Sequence, residues 1–403
     1  MRKTISLISI VLGAALLVFA IALPTYVVPK GKVLPLDVVS TTSTEPVEAR
    51  LLDSGALAKD KPVGDNKNRP ECKGDNKEVS CFIWNDVEIQ TQKFTTAQEP
   101  SDKKRVTLEA GQTVFRTDKS EPDNLLSATI DRVTLDRKTQ MPVTDPISSL
   151  NLAPPKGKDA EGYTPPEFVR KGLQYQFPMG ADRKSYPYFD AQTLTTNPID
   201  FVDEGEQGGE KIYTFEQTVD PTPLYDAQKK YLESDGSLTA AEEGVLTSLK
   251  LTFPAKVWGL KDDEIRNPKK GEDKDKDEKS EAGPDVEMQR YYTVNRKISI
   301  EPETGVIVNG GEEIWMFYAQ DDEEAKEIAK PENRERELAN PKRTAMYLPA
   351  QWDEKSKEAQ MVTAKEGLST IKTMGTTVPI IAGLLGLFLL FVGLWLQRAP
   401  RKS

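Results

Sequence analysis

Two long apolar runs stand near the ends of the chain, and shorter stretches between them alternate apolar and polar positions. Residues 5–23 and 378–396 contain no charged residue. A helix of that length rises about 28 Å at 1.5 Å per residue, close to the thickness of a bilayer's hydrocarbon core. The pattern therefore predicts one transmembrane helix at residues 5–23 and another at residues 378–396.

A cleaved signal peptide is the alternative interpretation of the first run. The run is long for the apolar part of a signal peptide, and no clear small-residue cleavage motif follows in PTYVVPKGK (24–32). An uncleaved anchor is therefore the favoured interpretation.

Basic residues flank the outer end of each run: Arg2 and Lys3 at the start, and Arg398, Arg401 and Lys402 at the end. The positive-inside rule then predicts that both termini are cytoplasmic. The protein is expected in the cytoplasmic (inner) membrane, with its large domain in a periplasm-like space.

The residues between the anchors predict a mainly β (α+β) domain. Several segments alternate with a period of two or are rich in β-branched residues. LSATIDRVTL needs a bulge to keep its apolar residues on one face, and PETG (302–305) and NGG (309–311) are typical of hairpin turns. The predicted strand segments are 82–90, 106–108, 113–116, 126–135, 212–218, 291–300, 305–308 and 313–318.

Helical patterns are fewer. Residues 223–250 and 321–330 are expected to be helical, with Ser237 or Thr239 as an N-cap and Glu242 three positions after Thr239. A juxtamembrane helix at 351–377 is expected to lead into the second anchor.

The domain organisation follows from these elements. One resemblance, between residues 130–143 and 294–308, has two interpretations: two related β-modules, or a chance likeness of two hairpins. The predicted segments are a cytoplasmic N-terminus 1–4, an anchor 5–23, β-rich module 24–150, β-rich module 151–350 with a helical insert 223–250 and a charged loop 261–285, a juxtamembrane helix 351–377, an anchor 378–396 and a basic cytoplasmic tail 397–403.

Composition narrows the chemistry. The net charge of -10 offers no basic surface for nucleic acid, so no nucleic-acid partner is expected. The chain has no histidine, which excludes Ser-His-Asp and Cys-His catalysis and imidazole metal sites. No phosphate-binding or dinucleotide fingerprint is present, and the acidic run 321–324 is typical of a helix start. We therefore expect no enzyme activity, no cofactor and no metal, with carboxylate-only hydrolysis as a remote alternative.

The two cysteines, Cys72 and Cys81, are separated by a polar, turn-rich stretch. In an exported domain this spacing favours a disulfide over two free thiols.

Aromatic residues recur within the predicted strands and, at alternate positions, share one face of a sheet. Packing in an ordinary core is one interpretation. The other is an apolar cavity that accepts acyl chains, each buried CH₂ contributing about 0.8 kcal/mol. The candidate lipid-binding residues are Phe177, Tyr213, Phe215, Trp258, Trp315 and Phe317.

Several blocks spread over most of the chain carry a family resemblance. They are YVVPKGKVLPLDVVSTT (26–42), GLQYQFPMG (172–180), SYPYFDAQT (185–193), IYTFEQT (212–218) and RKISIEPETGVIVNGGEE (296–313). With its two anchors, the chain resembles a family of actinobacterial envelope proteins labelled porin PorA-like, of PgfA type. The resemblance implies a role in trafficking the glycolipid trehalose monomycolate beside an MmpL-type lipid transporter.

Three functions stay open at this point. The first is a glycolipid-binding accessory protein that assists transport of mycolate-bearing lipid. The second is a structural scaffold of a cell-envelope or elongation complex. The third is a porin, which would need many lipid-facing strands with aromatic girdles and fits poorly with two helical anchors and a highly charged middle.

Overall fold

The computed structural model describes most of the chain: residues 2–152, 163–236, 238–266, 268 and 282–398. Some predictions fall on residues outside these ranges. They concern Ser237 as the alternative cap, Arg401 and Lys402 in the basic tail, residues 153–162 of the second β-rich module and the middle part of the charged loop 261–285.

The fold is mainly β with two apolar terminal helices, as the sequence predicts. All strand pairings in the sheet are antiparallel, and alternation along most strands separates buried from exposed side chains. The strands are β1 Val39–Ser43, β2 Val47–Leu52, β3 Ile83–Gln98, β4 Arg105–Arg116, β5 Leu125–Asp136, β6 Ser148–Asn151, β7 Glu167–Phe168, β8 Tyr186–Asp190, β9 Thr195–Gln207, β10 Glu210–Pro223, β11 Lys250–Pro254, β12 Asp285–Ile300, β13 Ile307–Ala319 and β14 Thr344–Gln351.

These strands form one sheet in the order β7-β6-β5-β4-β3-β2-β14-β13-β12-β10-β9-β8, with β1 added to β3 and β11 added to β12. Strands from both predicted modules therefore share a single sheet. The pairing of β2 with β14 joins the early and late parts of the chain at its centre.

The two edges of the sheet meet. After β7, the chain runs on to Leu173, which forms a parallel bridge with Tyr188 of β8. The amide of Phe189 donates to the Leu173 carbonyl oxygen at 2.9 Å. Gly172, at φ +91°, lies beside this seam, where a Cβ atom would be only 3.0 Å from the amide nitrogen of Phe189. The sheet therefore closes into a ring.

The helices lie at the ends and on the outside of this ring. They are α1 Arg2–Ala22, α2 Val28–Gly31, α3 Ser54–Ala58, α4 Tyr225–Leu232, α5 Ala240–Leu249, α6 Asp322–Ile328, α7 Pro331–Ala339, α8 Glu354–Lys372 and α9 Val378–Arg398. The cap prediction is confirmed, because Thr239 and Glu242 form both halves of a capping box at the start of α5.

The apolar runs form helices long enough to cross a membrane, Arg2–Gly31 and Glu354–Arg398. Each contains one π-helical turn, at Leu23–Val27 and Thr373–Thr377. Pro24 has no amide hydrogen, which accounts for the irregular turn in the first helix.

The predicted disulfide is confirmed. Cys72 and Cys81 are bonded, with Cα atoms 5.5 Å apart. Both are buried against Phe82 and Val79 in the largest apolar core of the protein.

The bulge predicted to bring Ala128, Ile130 and Val133 onto one face is wrong, because β5 pairs with β4 in continuous register from Ser127 to Asp136, and the bulge of this strand lies before that stretch. Leu126 is the extra residue between the Ser127 and Leu125 pairings of β5 with β4.

The predicted NGG turn is also wrong: Gly310 and Gly311 lie inside β13. The ring of Trp352 packs over Gly310, where a Cβ atom would approach it at 3.0 Å, so glycine provides space for an aromatic side chain.

The start of the juxtamembrane helix also differs from the prediction. α8 begins at Glu354, capped by the carboxylate of Asp353, which accepts from the Ser356 amide. Gln351 belongs to β14, a strand that the sequence pattern did not predict.

Candidate functional site

The ring of strands surrounds a cavity of about 1970 Å³. Ligand sites commonly occupy about 300–1,000 Å³, so this cavity is large enough for a lipid. Apolar side chains from four strands dominate one half of it, which we call the distal chamber. These residues are Leu51, Val114, Ile314, Met316, Met346 and Leu348.

The other end of the cavity reaches the membrane helices. Leu23 and Val27 line it from the end of the first helix, and Ile371 and Met374 line it from the second. We call this part the membrane-proximal chamber. An apolar path therefore leads from the ends of the two anchors into the ring.

Alternation along β13 decides which side chains face the cavity. Ile314, Met316 and Tyr318 line it. The intervening Trp315 and Phe317 point the other way and pack with each other, at a ring separation of 4.3 Å, and with Ala325 of α6. The outer aromatics are therefore core residues beneath the helices α6 and α7.

The six candidate lipid-binding aromatics are all described, and none of them lines the large cavity. Phe177 and Phe215 lie 4.7 Å apart and share a core with Tyr213 on the inner side of the sheet, next to the cavity-lining Ile298. Trp258 is buried near β12, where its indole donates to the Val286 carbonyl oxygen at 2.9 Å. The sequence pattern correctly groups Trp315 with Phe317, which face an outer core. It also groups Tyr213 with Phe215, but these two share the inward face of the sheet and pack in a core beside the cavity. The cavity wall is built from other residues.

A polar belt crosses the cavity between its two chambers. Arg296 of β12 and Glu312 of β13 are cross-strand partners, joined by a 2.5 Å contact from Nε to Oε1. Arg296 also pairs with the buried Asp190 at 3.1 Å and donates to Gln217. The guanidinium group lies over the ring of Tyr188 at 5.3 Å, and the hydroxyl group of Tyr188 donates to the Gln174 carbonyl oxygen.

Lys93 continues the belt from β3. Its ammonium group faces the cavity 5.9 Å from the ring centre of Tyr175, and no carboxylate among the described residues lies within salt-bridge distance. Burial lowers the pKa of Lys93, partly opposed by the charge of Glu312. Charge interactions therefore link Lys93 with the Arg296–Glu312 pair.

Glu312 stays ionised despite its enclosure. Burial opposes its charge, but Arg296 and Lys93 together hold the pKa of this carboxyl below its usual value. Its side chain keeps 38% of its surface accessible, and this surface lies on the cavity wall.

A second buried ion pair fixes the wall beside Lys93. Arg170 donates two hydrogen bonds to Asp131, at 2.6 and 2.8 Å, and Tyr175 donates a third at 2.5 Å. The Arg170 guanidinium also stacks 4.0 Å from the Phe189 ring centre. Because these residues come from β5, from β8 and from the segment after β7, the pair ties the two edges of the ring together.

This arrangement can hold an amphiphile. Its apolar chambers accept hydrocarbon, and its belt offers hydrogen-bond donors and acceptors. Among the described residues, no group of three or more acidic or cysteine side chains is placed to hold a metal ion.

The belt was not predicted from the sequence, although one signal for it exists. The inward positions of β12 are Val294, Arg296 and Ile298, all buried. A charged residue between two inward-facing apolar residues marks an unusual buried position. The alternation of this strand is therefore enough to single out Arg296.

Comparisons with a family model and with related proteins identify the same family. The family model described as "Porin PorA" matches residues 5–395. A "Porin PorA" of Corynebacterium resistens is 58% identical over 407 residues, covering 100% of this chain and 98% of that protein. A "Porin PorA" of Corynebacterium amycolatum is 44% identical over 401 residues, with 98% of each chain covered. The chain therefore belongs to the PorA family of envelope proteins.

Proposed function

We propose that this protein is a non-enzymatic, membrane-anchored accessory protein that holds a mycolate-bearing glycolipid, such as trehalose monomycolate, during its transport across the envelope. The observation that carries the proposal is the cavity that reaches from the ends of the anchors into a closed ring of strands. A lipid leaving a bilayer needs such an enclosure to cross an aqueous space.

The dimensions suit this role. The wall along β13, from Ile307 to Tyr318, is about 36 Å long at roughly 3.3 Å per residue. One leaflet of a bilayer's hydrocarbon core is about 15 Å thick. Because exposing each CH₂ to water costs about 0.8 kcal/mol, the apolar lining removes most of the cost of taking a long acyl chain out of a membrane.

The proposed topology places both termini in the cytoplasm and the ring outside the inner membrane. The basic residues Arg2, Lys3 and Arg398 at the outer helix ends support it. The disulfide Cys72–Cys81 supports it independently, since such bonds persist in oxidising compartments.

An MmpL-type transporter is the proposed partner. The packed pair of anchors exposes a broad apolar surface that includes Phe388, Phe391 and Trp395. In a membrane, this surface is free to contact either lipid or the helices of another protein.

The name of the relatives suggests a pore as the alternative. A strand-built pore needs an apolar outer band facing lipid. The outward positions of this ring instead carry charged residues such as Glu88, Glu216 and Lys297. This charge pattern suits a ring in water and favours lipid binding over conduction by the ring.

Native mass spectrometry of the detergent-purified full chain tests the proposal. We expect a co-purifying glycolipid on the wild type and its loss from Thr129→Trp, which fills the cavity from β5. Ile130→Trp is the matched control, because Ile130 is the next residue and is 41% exposed on the outer face. An empty wild-type cavity that also fails to bind added trehalose ester would overturn the proposal, and channel conductance in planar bilayers would favour a pore.

A further inference from the structure

The polar belt crosses the cavity partway along β13. The cavity-lining residues run from Val306, just before β13, along the strand through Ile307 and Glu312 to Ile314 and Met316. Val306 packs near α8, at the membrane-proximal end. The belt therefore separates the membrane-proximal chamber from the distal chamber.

Several polar groups in the belt lack partners among the described residues. The amide oxygen Oε1 of Gln174 is buried without a hydrogen-bond donor from this part of the chain. Within the same residues, Oε2 of Glu312 accepts no hydrogen bond, whereas Oε1 is bound by Arg296. Lys93 and its cross-strand neighbour Gln112 both face the cavity, and no described residue forms a hydrogen bond with either side chain.

The buried amide oxygen of Gln174 lacks a partner, which costs free energy, whereas Lys93, Gln112 and Glu312 keep part of their surface exposed to the cavity. Their arrangement mixes donors, on Lys93 and Gln112, with acceptors, on Gln174 and Glu312. A hydroxyl group is both donor and acceptor, so a polyhydroxyl ligand satisfies the whole set. A phosphate, which only accepts, would satisfy Lys93 but face the unpaired oxygens of Gln174 and Glu312.

The charge balance leads to the same ligand. Arg296 is neutralised by Asp190 and Glu312, and Arg170 is neutralised by Asp131. With Lys93, the belt and its supporting pairs carry three cations and three carboxylates. A neutral head group therefore fits better than an ionic one.

We propose that Lys93, Gln112, Gln174 and Glu312 form the head-group site of the cavity, binding a neutral sugar-like polyhydroxyl group between the two apolar chambers. This inference rests on the proposed lipid-binding function and adds the position of the head group. The sugar then lies at the middle of the ring.

The test compares three probes that share one alkyl chain: a trehalose ester of palmitate, palmityl alcohol and palmityl phosphate. Each is titrated into the detergent-purified full chain, followed by intrinsic tryptophan fluorescence and native mass spectrometry. Lys93→Met removes the charged donor, and Lys297→Met is the control, because Lys297 is exposed on the outer face beside Arg296.

We expect Lys93→Met to weaken binding of the trehalose ester about tenfold, as loss of one charge-assisted hydrogen bond predicts. Binding of palmityl alcohol should be unchanged or tighter, and Lys297→Met should match the wild type. Thermal melting of the lipid-free Lys93→Met variant should be equal to or above that of the wild type, which separates a binding defect from unfolding.

Equal weakening of the ester and the alcohol would overturn the head-group site while leaving lipid binding intact. Preferential binding of palmityl phosphate would overturn the neutral head group. Failure of all three probes to bind the wild type would instead contradict the proposed function itself.

Discussion

Ser6, in the first helix, donates a 2.7 Å hydrogen bond from its hydroxyl group to the backbone carbonyl oxygen of Gly393, 387 positions later. The contact is possible because glycines line the crossing of α1 and α9. A methyl group on Gly386 would lie 2.9 Å from the carbonyl oxygen of Gly13. The two anchors therefore pack against each other, as small residues allow in membranes. Because one anchor precedes the ring in the chain and the other follows it, the packed pair holds the ring from both its ends.

Gly386→Ala is expected to separate the anchors, because its new Cβ atom would overlap the backbone of α1. Gly383→Ala is the matched control, since a methyl group there would lie at an ordinary 3.8 Å from the Cβ atom of Ala20. Distances between spin labels at Lys3 and Gln397 measure the separation. Identical distance distributions in the two variants would contradict the close-packed crossing.

The face assignment of β13 predicts different effects for two positions on opposite faces of the strand. Ile314→Asn, on the cavity face, should reduce the amount of bound lipid. Phe317→Ala, in the outer core, should cost about 3–5 kcal/mol of unfolding free energy with lipid binding per folded molecule retained. Denaturant unfolding and lipid quantification on both variants check this, and loss of lipid from Phe317→Ala alone would reverse the assignment.

The ion pair at the ring seam is expected to matter for stability. Arg170 and Asp131 expose only 1% and 7% of their side chains, so Asp131→Asn leaves a buried guanidinium without its charge partner. The expected loss is about 3–5 kcal/mol. The exposed pair Arg105–Asp145 is the control, and Asp145→Asn should cost less than about 1 kcal/mol. Similar midpoints of urea unfolding for Asp131→Asn and Asp145→Asn would show that the stability of the seam does not depend on the Arg170–Asp131 pair.

Lowering the pH should remove the stabilising contribution of Glu312, a residue of the polar belt. The pKa of Glu312 is lower in the folded protein than its usual 4.5, although burial opposes this, because of Arg296 and Lys93. Its stabilising contribution is therefore complete above the unfolded pKa and is lost as the pH falls through the folded value.

Melting temperature measured as a function of pH tests this contribution. The wild type should lose stability more steeply below about pH 5 than Glu312→Gln does, because the variant has no carboxyl group to protonate there. Glu216→Gln, on the outer face of β10, is the matched control and should follow the wild type. Parallel curves for the wild type and Glu312→Gln would contradict the charged state of this residue.

The disulfide should stabilise the end of the ring where it is buried. Its loop is short, so the chain-entropy estimate for Cys72→Ser with Cys81→Ser is about 2–3 kcal/mol. Denaturant unfolding of the double variant against the oxidised wild type measures the loss. Reduction of the wild type should reproduce it, and an unchanged midpoint would show that packing around Cys81 alone holds this region.

Local signals in the sequence predicted the local features. The Thr239–Glu242 capping box and the Cys72–Cys81 bond each depend on residues close together in the chain. The apolar runs predicted the terminal helices because length and lack of charge suffice for that inference.

Features that depend on distant pairing were not predictable in the same way. Alternation groups Trp315 with Phe317, but only closure of the ring decides that Ile314 and Met316 face the cavity. β14 was not predicted, and it contains Pro349, a residue that is rare within central strands. The structure accommodates it because β2 pairs with β14 only at Met346 and Tyr347.

Photo-crosslinking inside the ring tests the central claim most directly. A photoreactive amino acid at Met316 faces the distal chamber, whereas one at Phe94, 48% exposed on the outer face of β3, serves as the control. After irradiation of cells that make mycolates, mass spectrometry should find a glycolipid adduct at position 316 and none at position 94. No adduct at position 316, or equal adducts at both positions, would contradict a lipid held within the ring.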